Sequence, residues 1–147
     1  MRLCLLASGS NGNACYVEAG ETRLLVDLGI GPRVLGWRLE PLGVVPADVS
    51  DVLLTHEHTD HVKGLEGLLK RRPDLVIHGT RSTLRSLPRE IRGHGRKVRP
   101  DEPFGVGDFQ VTAFVTSHDV GRSVGYRLEA AGAALGYATD LGAFGAR

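Results

Sequence analysis

Four side chains of the types that bind metals stand close together in the chain: His56, His58, Asp60 and His61. His56 and His58 are two residues apart, so both can reach one metal ion from an extended loop. Asp60 and His61 fall near the start of a predicted helix and point to a second position close by. Imidazole and carboxylate ligands together suit zinc, manganese or iron. The segment therefore predicts a metal centre.

A buried strand is predicted directly before this segment and a helix directly after it, and these two elements would position its side chains. Asp51–Thr55, directly before it, is strand-like, and Val62–Arg72, directly after it, has apolar residues at helical spacing as far as Pro73. Further strands are predicted at Leu3–Ala7 (as a buried strand), Ala14–Ala19, Thr22–Asp27, Leu75–His78, Phe109–Thr116, Ser123–Glu129 and Ala134–Thr139, and further helices from Pro32 and from Thr80 to Leu87. This order predicts one layered α/β or α+β domain over residues 1–147, with helices covering sheets.

Composition is typical of a soluble globular protein, with 41% hydrophobic and 24% charged residues. No apolar stretch approaches the roughly 18 residues that a membrane span needs, so we expect no membrane partner. The two cysteines, Cys4 and Cys15, belong to no CxxC pair and are expected to be reduced thiols. Such cysteine usage fits a cytoplasmic protein better than a secreted disulfide scaffold.

The charge is unevenly distributed although the formal net charge is only +1. Residues 63–99 hold eleven Lys or Arg against three Asp or Glu. Such a segment can bind the phosphate backbone of a nucleic acid without sequence selectivity, or it can be a solvated arginine-rich surface. Pro88 argues against one continuous helix through it. The candidates for nucleic-acid contact are Arg81, Arg85, Arg89 and Arg92.

The segment with His56, His58, Asp60 and His61 and two later motifs together resemble the ligand motifs of the metallo-β-lactamase superfamily. The later motifs are Thr116–Asp119 at the end of a strand and Tyr137–Gly142 after another. The resemblance implies an αββα sandwich and a centre with two divalent ions, zinc or manganese. It implies that Asp27 supports the ligand loop from beneath, in the manner of groups that orient metal ligands. It assigns the metal ligands to His56, His58, Asp60, His61, His118 and Asp140.

Within that superfamily the chain resembles the WalJ/YycJ branch most specifically. The segments that carry this resemblance are Leu6–Asn13, Thr55–His61 with Lys63-Gly64, Ser117–Asp119 and Ala138–Gly142. Members of this branch are bacterial cytoplasmic proteins described as double-stranded DNA exonucleases or phosphodiesterases. The resemblance therefore implies a 5′–3′ exonuclease with DNA as its substrate. The substrate inference is weaker than the fold inference, because one scaffold hosts many hydrolytic reactions.

One ligand of the superfamily has no counterpart, because no histidine follows His118. One metal position can be filled by His56, His58, His118 and Asp140, whereas the other, with Asp60, His61 and Asp140, lacks its last histidine. His78 and His94 lack the right context and are expected to be structural or exposed. We therefore expect a member truncated at its C-terminus, with an incomplete second half of the sandwich and a weak second metal site.

The resemblance also implies a mechanism. Two divalent ions bound by these residues would supply Lewis-acid activation, lowering the pKa of a bound water from about 15.7 to about 7, so that hydroxide would be available at neutral pH to attack phosphorus. Asp60 is the candidate to orient this nucleophile and accept its proton. Two other hypotheses stay open. One is a small-molecule hydrolase acting on a thioester, lactone or β-lactam, and the other is a fragment that binds metal or DNA with impaired catalysis.

Overall fold

Two β-sheets packed face to face form the centre of the computed structural model, which describes residues 1–117 and 123–142. The larger sheet has six strands, hydrogen-bonded in chain order. They are β1 (Arg2–Ala7), β2 (Ala14–Ala19), β3 (Thr22–Leu28), β4 (Asp51–Leu53), β5 (Val76–Gly79) and β6 (Gly95–Lys97). The first three pair antiparallel, and β3 to β6 pair parallel.

The smaller sheet is formed by the later part of the chain and is antiparallel throughout. Its strands are β7 (Phe104–Val106), β8 (Phe109–Val115), β9 (Val124–Ala130) and β10 (Ala133–Tyr137). They are hydrogen-bonded in the order β10-β9-β8-β7. Along β8, buried apolar residues such as Val111 and Ala113 alternate with residues that point outward. This is the pattern of a half-buried antiparallel sheet.

Short helices cover the outer face of the larger sheet. They are α1 (Pro32–Leu39), α2 (Thr59–Val62), α3 (Leu65–Leu69), α4 (Arg81–Ser86) and α5 (Arg89–Arg92), with 3₁₀ turns at Glu40–Leu42 and Pro46–Asp48. Leu35 of α1 and Leu68 of α3 are fully buried against that face. The predicted layers of helix and sheet are confirmed.

Strand β3 contributes side chains to two hydrophobic cores, one beneath the helices and one between the sheets, because side chains of a strand alternate between its two faces. Leu24 and Val26 face the smaller sheet, whereas Leu25 packs beneath the helices. Leu28 also packs beneath the helices, because the left-handed backbone of the residue before it interrupts the alternation. All four side chains are fully buried. The strand ends directly beside the predicted metal ligands, so the best-packed part of the protein supports the site.

Most predicted elements are confirmed within one or two residues. The hairpin turns at Gly20, whose φ of 54° lies in the left-handed region that glycine adopts without cost. Pro32 begins α1, and Thr80 caps α4 by accepting a hydrogen bond from the backbone of Thr83 at 3.3 Å. Both cysteines are free thiols, and the three later strands occupy the predicted regions.

Two predictions about these elements are wrong. The first strand is not buried, because β1 is an edge strand with Leu3 52% and Leu5 58% exposed. The continuous helix over Val62–Arg72 is instead divided at Gly64 into α2 and α3. There the chain passes so close to the end of β3 that a Cβ atom on Gly64 would lie 2.7 Å from Cγ of Leu28 and 2.1 Å from the carbonyl oxygen of Ile30, just beyond the strand.

Strands β6 and β7 and helix α5 are not predicted by periodicity. β6 is short and its Arg96 and Lys97 are exposed, so no apolar alternation marks it. Its pairing with β5 decides that it is a strand. None of the helices within residues 1–117 and 123–142 has the length and apolar character that crossing a bilayer requires.

Candidate metal centre

The predicted ligand loop begins where β4 ends and is held between the two sheets. The carbonyl of Thr55 accepts a hydrogen bond from the backbone N–H of Val124 at 3.0 Å. The carbonyl of Leu54 accepts one from the hydroxyl of buried Tyr126 at 2.7 Å. Both donors belong to β9 of the smaller sheet. The loop is therefore fixed from both sides before it reaches its first histidine.

Three predicted ligands meet at the end of this loop. Nε2 of His61 lies 2.9 Å from Oδ2 of Asp140, and Nε2 of His56 lies 3.6 Å from the same oxygen. One donor atom from each of the three residues falls within 4.8 Å of the others. Both histidines are buried, whereas the Asp140 side chain is 40% exposed. The cluster therefore opens to solvent on its carboxylate side.

Two further predicted ligands lie at the edge of this cluster. Oδ2 of Asp60 is 3.4 Å from Nε2 of His61. The ring of His58 packs edge-on against that of His56, with 4.6 Å between ring centroids. The sixth predicted ligand, His118, lies outside the described residues. The structure thus brings together five of the six predicted ligands.

Asp27 lies beneath the cluster and sets the protonation of both buried histidines. Its carboxylate, which is fully buried, accepts hydrogen bonds from the Thr55 backbone N–H and hydroxyl, both at 2.8 Å, and from Nδ1 of His61 at 2.7 Å. The Thr55 hydroxyl gives its proton to Asp27. Towards Nδ1 of His56, 2.9 Å away, the hydroxyl oxygen can therefore act only as an acceptor. Both histidines then carry their proton on Nδ1, which leaves each Nε2 lone pair to face Asp140.

The backbone at the two central aspartates is unusual. Asp27 has a φ of 59° and Asp140 a φ of 51°. Aspartate is one of the few residue types that adopt this left-handed region, and such positions cluster at functional sites. Each residue follows the apolar part of a strand, and the turn directs its carboxylate to the cluster. The arrangement places acids both beneath and above the two histidines.

Burial and charge compete in the pair formed by Asp27 and His61. Burial by itself lowers the pKa of His61, but the hydrogen bond and charge of Asp27 raise it above its usual value. The carboxyl of Asp27 itself has a raised pKa because of its burial, against the hydrogen bonds from His61 and Thr55. A metal ion must therefore compete with a proton at His61, and its affinity should fall in acid.

Asn13 is a site residue that the sequence did not single out. Its side chain is buried, and its amide nitrogen lies 3.1 Å from Oδ2 of Asp60 and 3.1 Å from Nε2 of His61. Its backbone N–H donates to the carbonyl of Asp60 at 2.8 Å. The only sequence signal was the Ser-, Gly- and Asn-rich turn over residues 8–13, which predicts a loop without showing which side chain turns inward.

The residues of this cluster fit a divalent metal ion. Two imidazole nitrogens with the correct tautomer converge with a carboxylate, which is the donor set of zinc and manganese sites. The second carboxylate, of Asp60, is close enough to serve a neighbouring ion. Buried groups that hold the ligands, here Asp27 and Thr55, are a regular part of such sites.

Comparison with known proteins agrees with this geometry. A family profile described as "Beta-lactamase superfamily domain" matches residues 22–147. The chain belongs to this superfamily. The structure is similar to that of the metallo-β-lactamase fold protein YhfI from Bacillus subtilis, with a TM-score of 0.73. The two sequences are 24% identical, and the match covers 93% of this chain and 61% of that one. The predicted metallo-β-lactamase-type fold is thereby confirmed.

Among the curated members of the β-lactamase superfamily, several similar proteins are named as nucleases. Exodeoxyribonuclease YycJ from Bacillus anthracis is 33% identical over 97% of this chain and 55% of its own length. Exodeoxyribonuclease WalJ from Streptococcus pneumoniae is 30% identical over 78% of this chain and 45% of its own. Ribonuclease Z from Methanopyrus kandleri is 36% identical over 77% of this chain and 42% of its own length. The chain spans about half the length of these relatives.

The four predicted nucleic-acid contacts of this β-lactamase superfamily chain do not form one surface. Arg81 and Arg85 of α4 line an open cavity together with residues of the segment that follows β6. Arg92 turns back and donates hydrogen bonds to the carbonyls of Arg85 at 2.9 Å and Leu87 at 3.0 Å. Arg89 is exposed on α5 and does not line the cavity. The structure therefore separates the predicted set into two pairs.

The spare histidine His78 lies apart from the metal cluster. Its Nε2 is 2.8 Å from Oδ1 of Asp51, and its ring stacks on that of Phe104 with 5.5 Å between centroids. These contacts join β5 to the start of β4 and to β7. His78 is structural, as the sequence suggests.

We expect Asn13→Ala to weaken both stability and metal binding in this superfamily member. Loss of the buried amide leaves Asp60 without its hydrogen bond, which should lower the free energy of unfolding by about 1–3 kcal/mol. Loss of a group that orients a ligand should lower metal affinity by about 10–100-fold. Thermal unfolding and metal titration measure the two effects. The control is Asn11→Ala, an exposed neighbour whose backbone carbonyl, not its side chain, binds Lys63. Equal behaviour of the two variants would contradict the role of Asn13.

Proposed function

We propose that this protein is a metal-dependent phosphodiesterase that degrades double-stranded DNA from an end. The observation that carries the proposal is the convergence of donor atoms from His56, His61 and Asp140 within 4.8 Å, with Asp60 beside them. Buried histidines of fixed tautomer next to partly exposed carboxylates form a site that can take up metal and still admit a substrate.

The choice of DNA is supported by the relatives. Two of them are named exodeoxyribonucleases, and their similarity extends over 97% and 78% of this chain. The ribonuclease Z relatives also carry nuclease names. Phosphodiester hydrolysis is therefore the reaction that these names share, and the exodeoxyribonuclease names favour DNA.

The proposed division of the ligands into two sets is the one that the resemblance to the superfamily implies. His56, His58 and Asp140, with His118, would hold one divalent ion, zinc or manganese, and Asp60, His61 and Asp140 the other. When bound, such ions supply Lewis-acid activation of water and neutralise charge that develops on phosphate oxygens.

The protein's own groups would then orient the reaction. Asp27 and Thr55 keep the protons of His56 and His61 on Nδ1, so the ligand atoms need no rearrangement. The amide of Asn13 binds Oδ2 of Asp60 and fixes the direction of that carboxylate. Asp60, 27% exposed at the mouth of the site, is our proposed acceptor for the proton of the attacking water.

The test combines metal content with nuclease activity. The purified protein is analysed for bound metal and assayed on linear double-stranded DNA with manganese, with and without chelator. We expect bound divalent metal and chelator-sensitive degradation, and labels on either end would show the polarity. His56→Ala should abolish both metal binding and cleavage. His78→Ala, the matched buried histidine outside the site, should retain both.

Other substrates decide between this proposal and its alternatives. Single-stranded RNA and a glutathione thioester are assayed in parallel, since a hydroxyacylglutathione hydrolase from Xanthomonas euvesicatoria is also a relative, at 34% identity. Hydrolysis of the thioester without cleavage of DNA would replace the DNA proposal by small-molecule hydrolysis. Tight metal or DNA binding without turnover of any substrate would favour a protein with impaired catalysis.

A further inference from the structure

A basic cleft lies between α4, the segment that follows β6 and the end of β8. It is an open cavity of about 870 Å³, and four cationic side chains line it: Arg81, Arg85, Lys97 and Arg99. Thr80 and Ser82 add hydroxyl groups to the same wall. None of the cleft's lining residues, within the part of the chain that the structure describes, is acidic. We call this cavity the basic cleft.

The four cations come from two separate elements that the tertiary structure brings together. Arg81 and Arg85 are four residues apart on α4 and therefore share one face of that helix. Lys97 ends β6, and Arg99 follows it. Because α4 packs on β5 and β6, the two pairs face one cavity. This arrangement differs from the linear run of arginines in the sequence, since Arg89 and Arg92 are excluded from it.

Most of this positive charge is not neutralised by carboxylates of residues 1–117 and 123–142. Arg99 forms an exposed ion pair with Glu102 at 3.4 Å, which water screens strongly. Among the described residues, no carboxylate oxygen lies within 4.0 Å of the charged nitrogens of Arg81, Arg85 or Lys97. Cations gathered in a concavity repel one another and raise the local concentration of anions. The cleft is therefore suited to bind a negatively charged ligand.

Both walls of the basic cleft lead to the ligand loop. On one side, Thr83 of α4 donates its hydroxyl to Oε2 of Glu57 at 3.2 Å, and Glu57 stands between His56 and His58. On the other side, Val115 ends β8. Two residues further, the carbonyl of Ser117 accepts a hydrogen bond at 2.7 Å from Gly142, close after Asp140. The cleft is therefore connected to the ligand loop through Thr83 and Glu57, and its other wall continues towards Asp140.

We propose that the basic cleft binds the phosphodiester backbone of the nucleic-acid substrate next to the scissile phosphate. This inference rests on the proposed function and adds to it the site that holds the substrate strand. Arginine and lysine contacts to phosphates fix the position of a duplex without selecting its sequence, as an enzyme that degrades DNA progressively requires. Arg89 and Arg92 contribute nothing to this binding, because neither faces the cleft.

Two charge-matched triple variants test this proposal. The cleft variant is Arg81→Gln with Arg85→Gln and Lys97→Gln, all exposed positions that should not affect folding. The control is Arg33→Gln with Arg38→Gln and Arg89→Gln, which removes the same charge from positions outside the cleft. Anisotropy of a labelled DNA duplex, in chelator so that no cleavage occurs, gives the affinity over a series of salt concentrations.

The expected result is selective loss of DNA binding in the cleft variant. Its slope of log affinity against log salt should fall by about 3, because each phosphate that no longer has a cationic partner lowers the slope by roughly 1. The control should keep the slope of the parent protein within about 1. Equal loss in both variants, no loss in either, or no DNA binding by the parent protein would each overturn the proposal.

A small phosphodiester separates this proposal from the proposed function. Hydrolysis of bis(p-nitrophenyl) phosphate with manganese needs the metal centre, but this ester has a single phosphate and no neighbouring one to bind in the cleft, so the cleft variant should keep the parent rate. On DNA, the same variant should show a raised KM at unchanged kcat. If no phosphodiester is hydrolysed while DNA binding depends on the cleft, the proposed function fails and the binding site stands. If hydrolysis of the small ester occurs without cleft-dependent binding, the cleft proposal fails alone.

Discussion

Asp27→Asn should lower metal-dependent turnover by about 10²–10⁴-fold, the range that spans loss of a group orienting metal ligands and a wrong histidine tautomer. The carboxylate of Asp27 accepts from Nδ1 of His61 at 2.7 Å and from the Thr55 hydroxyl, which in turn accepts from His56. An amide nitrogen in place of Oδ2 donates instead of accepting. His61 must then protonate Nε2, and the lone pair that should bind metal is lost.

The matched control for this substitution is Asp51→Asn. Asp51 also pairs with a histidine, His78, at 2.8 Å in a mostly buried position, but it stands at the other end of β4. Both variants should lose about 1–3 kcal/mol of unfolding free energy, because each disturbs a buried hydrogen bond. Only Asp27→Asn should lose metal affinity in a titration. A folded Asp27→Asn protein with parental metal affinity would refute the role assigned to this carboxylate.

Gly29→Ala should be strongly destabilising, by about 3 kcal/mol, the upper end of what overpacking a core costs. A Cβ atom there would lie 1.6 Å from the carbonyl oxygen of Asp60 and 2.7 Å from the backbone nitrogen of Asn13. Neither obstacle is a side chain that can rotate away. The backbone of the ligand loop must therefore shift, so we expect metal affinity to fall together with the unfolding temperature.

Gly31→Ala is the control, two residues further along the same turn. No heavy atom lies within 4 Å of the position that its Cβ would occupy, and its φ of −69° suits any residue. It should leave metal affinity unchanged and alter stability by no more than about 1 kcal/mol, because the entropic gain of alanine in the unfolded chain is opposed by the preference for glycine at the N-cap position of α1. Denaturant unfolding and metal titration of both variants decide the matter. If both retained parental stability, the close approach at Gly29 would not exist in solution.

Local spacing was enough to predict the ligand loop. His56, His58, Asp60 and His61 lie within six residues, so their proximity hardly depends on the rest of the fold. The strand before them and the hairpin β2–β3 follow from apolar alternation and a Gly-containing turn, which are also local features. The family motifs added Asp27 and Asp140, whose carboxylates the structure places beneath and above the histidines.

Periodicity failed wherever a distant segment decided the local structure. Val62–Arg72 has helical spacing throughout, yet β3 approaches Gly64 so closely that the helix divides there. Leu3 and Leu5 have side chains typical of core residues, but β1 lies at the edge of the larger sheet. Within the described residues, no layer covers the face on which these two side chains lie. Pairing with β5, not hydrophobicity, makes β6 a strand.

The sequence by itself determined which residue types could bind metal and that they would follow a buried strand. Only the tertiary structure decided how those ligands are held and what surrounds them. It turned Asn13 inward onto Asp60, connected Asp27 to His61 directly and to His56 through Thr55, and joined Arg81 and Arg85 to Lys97 and Arg99 in one cleft. The physical reason is that ligand spacing is a property of adjacent residues, whereas hydrogen-bond partners and electrostatic clefts arise between segments whose separation along the chain carries no periodic signal.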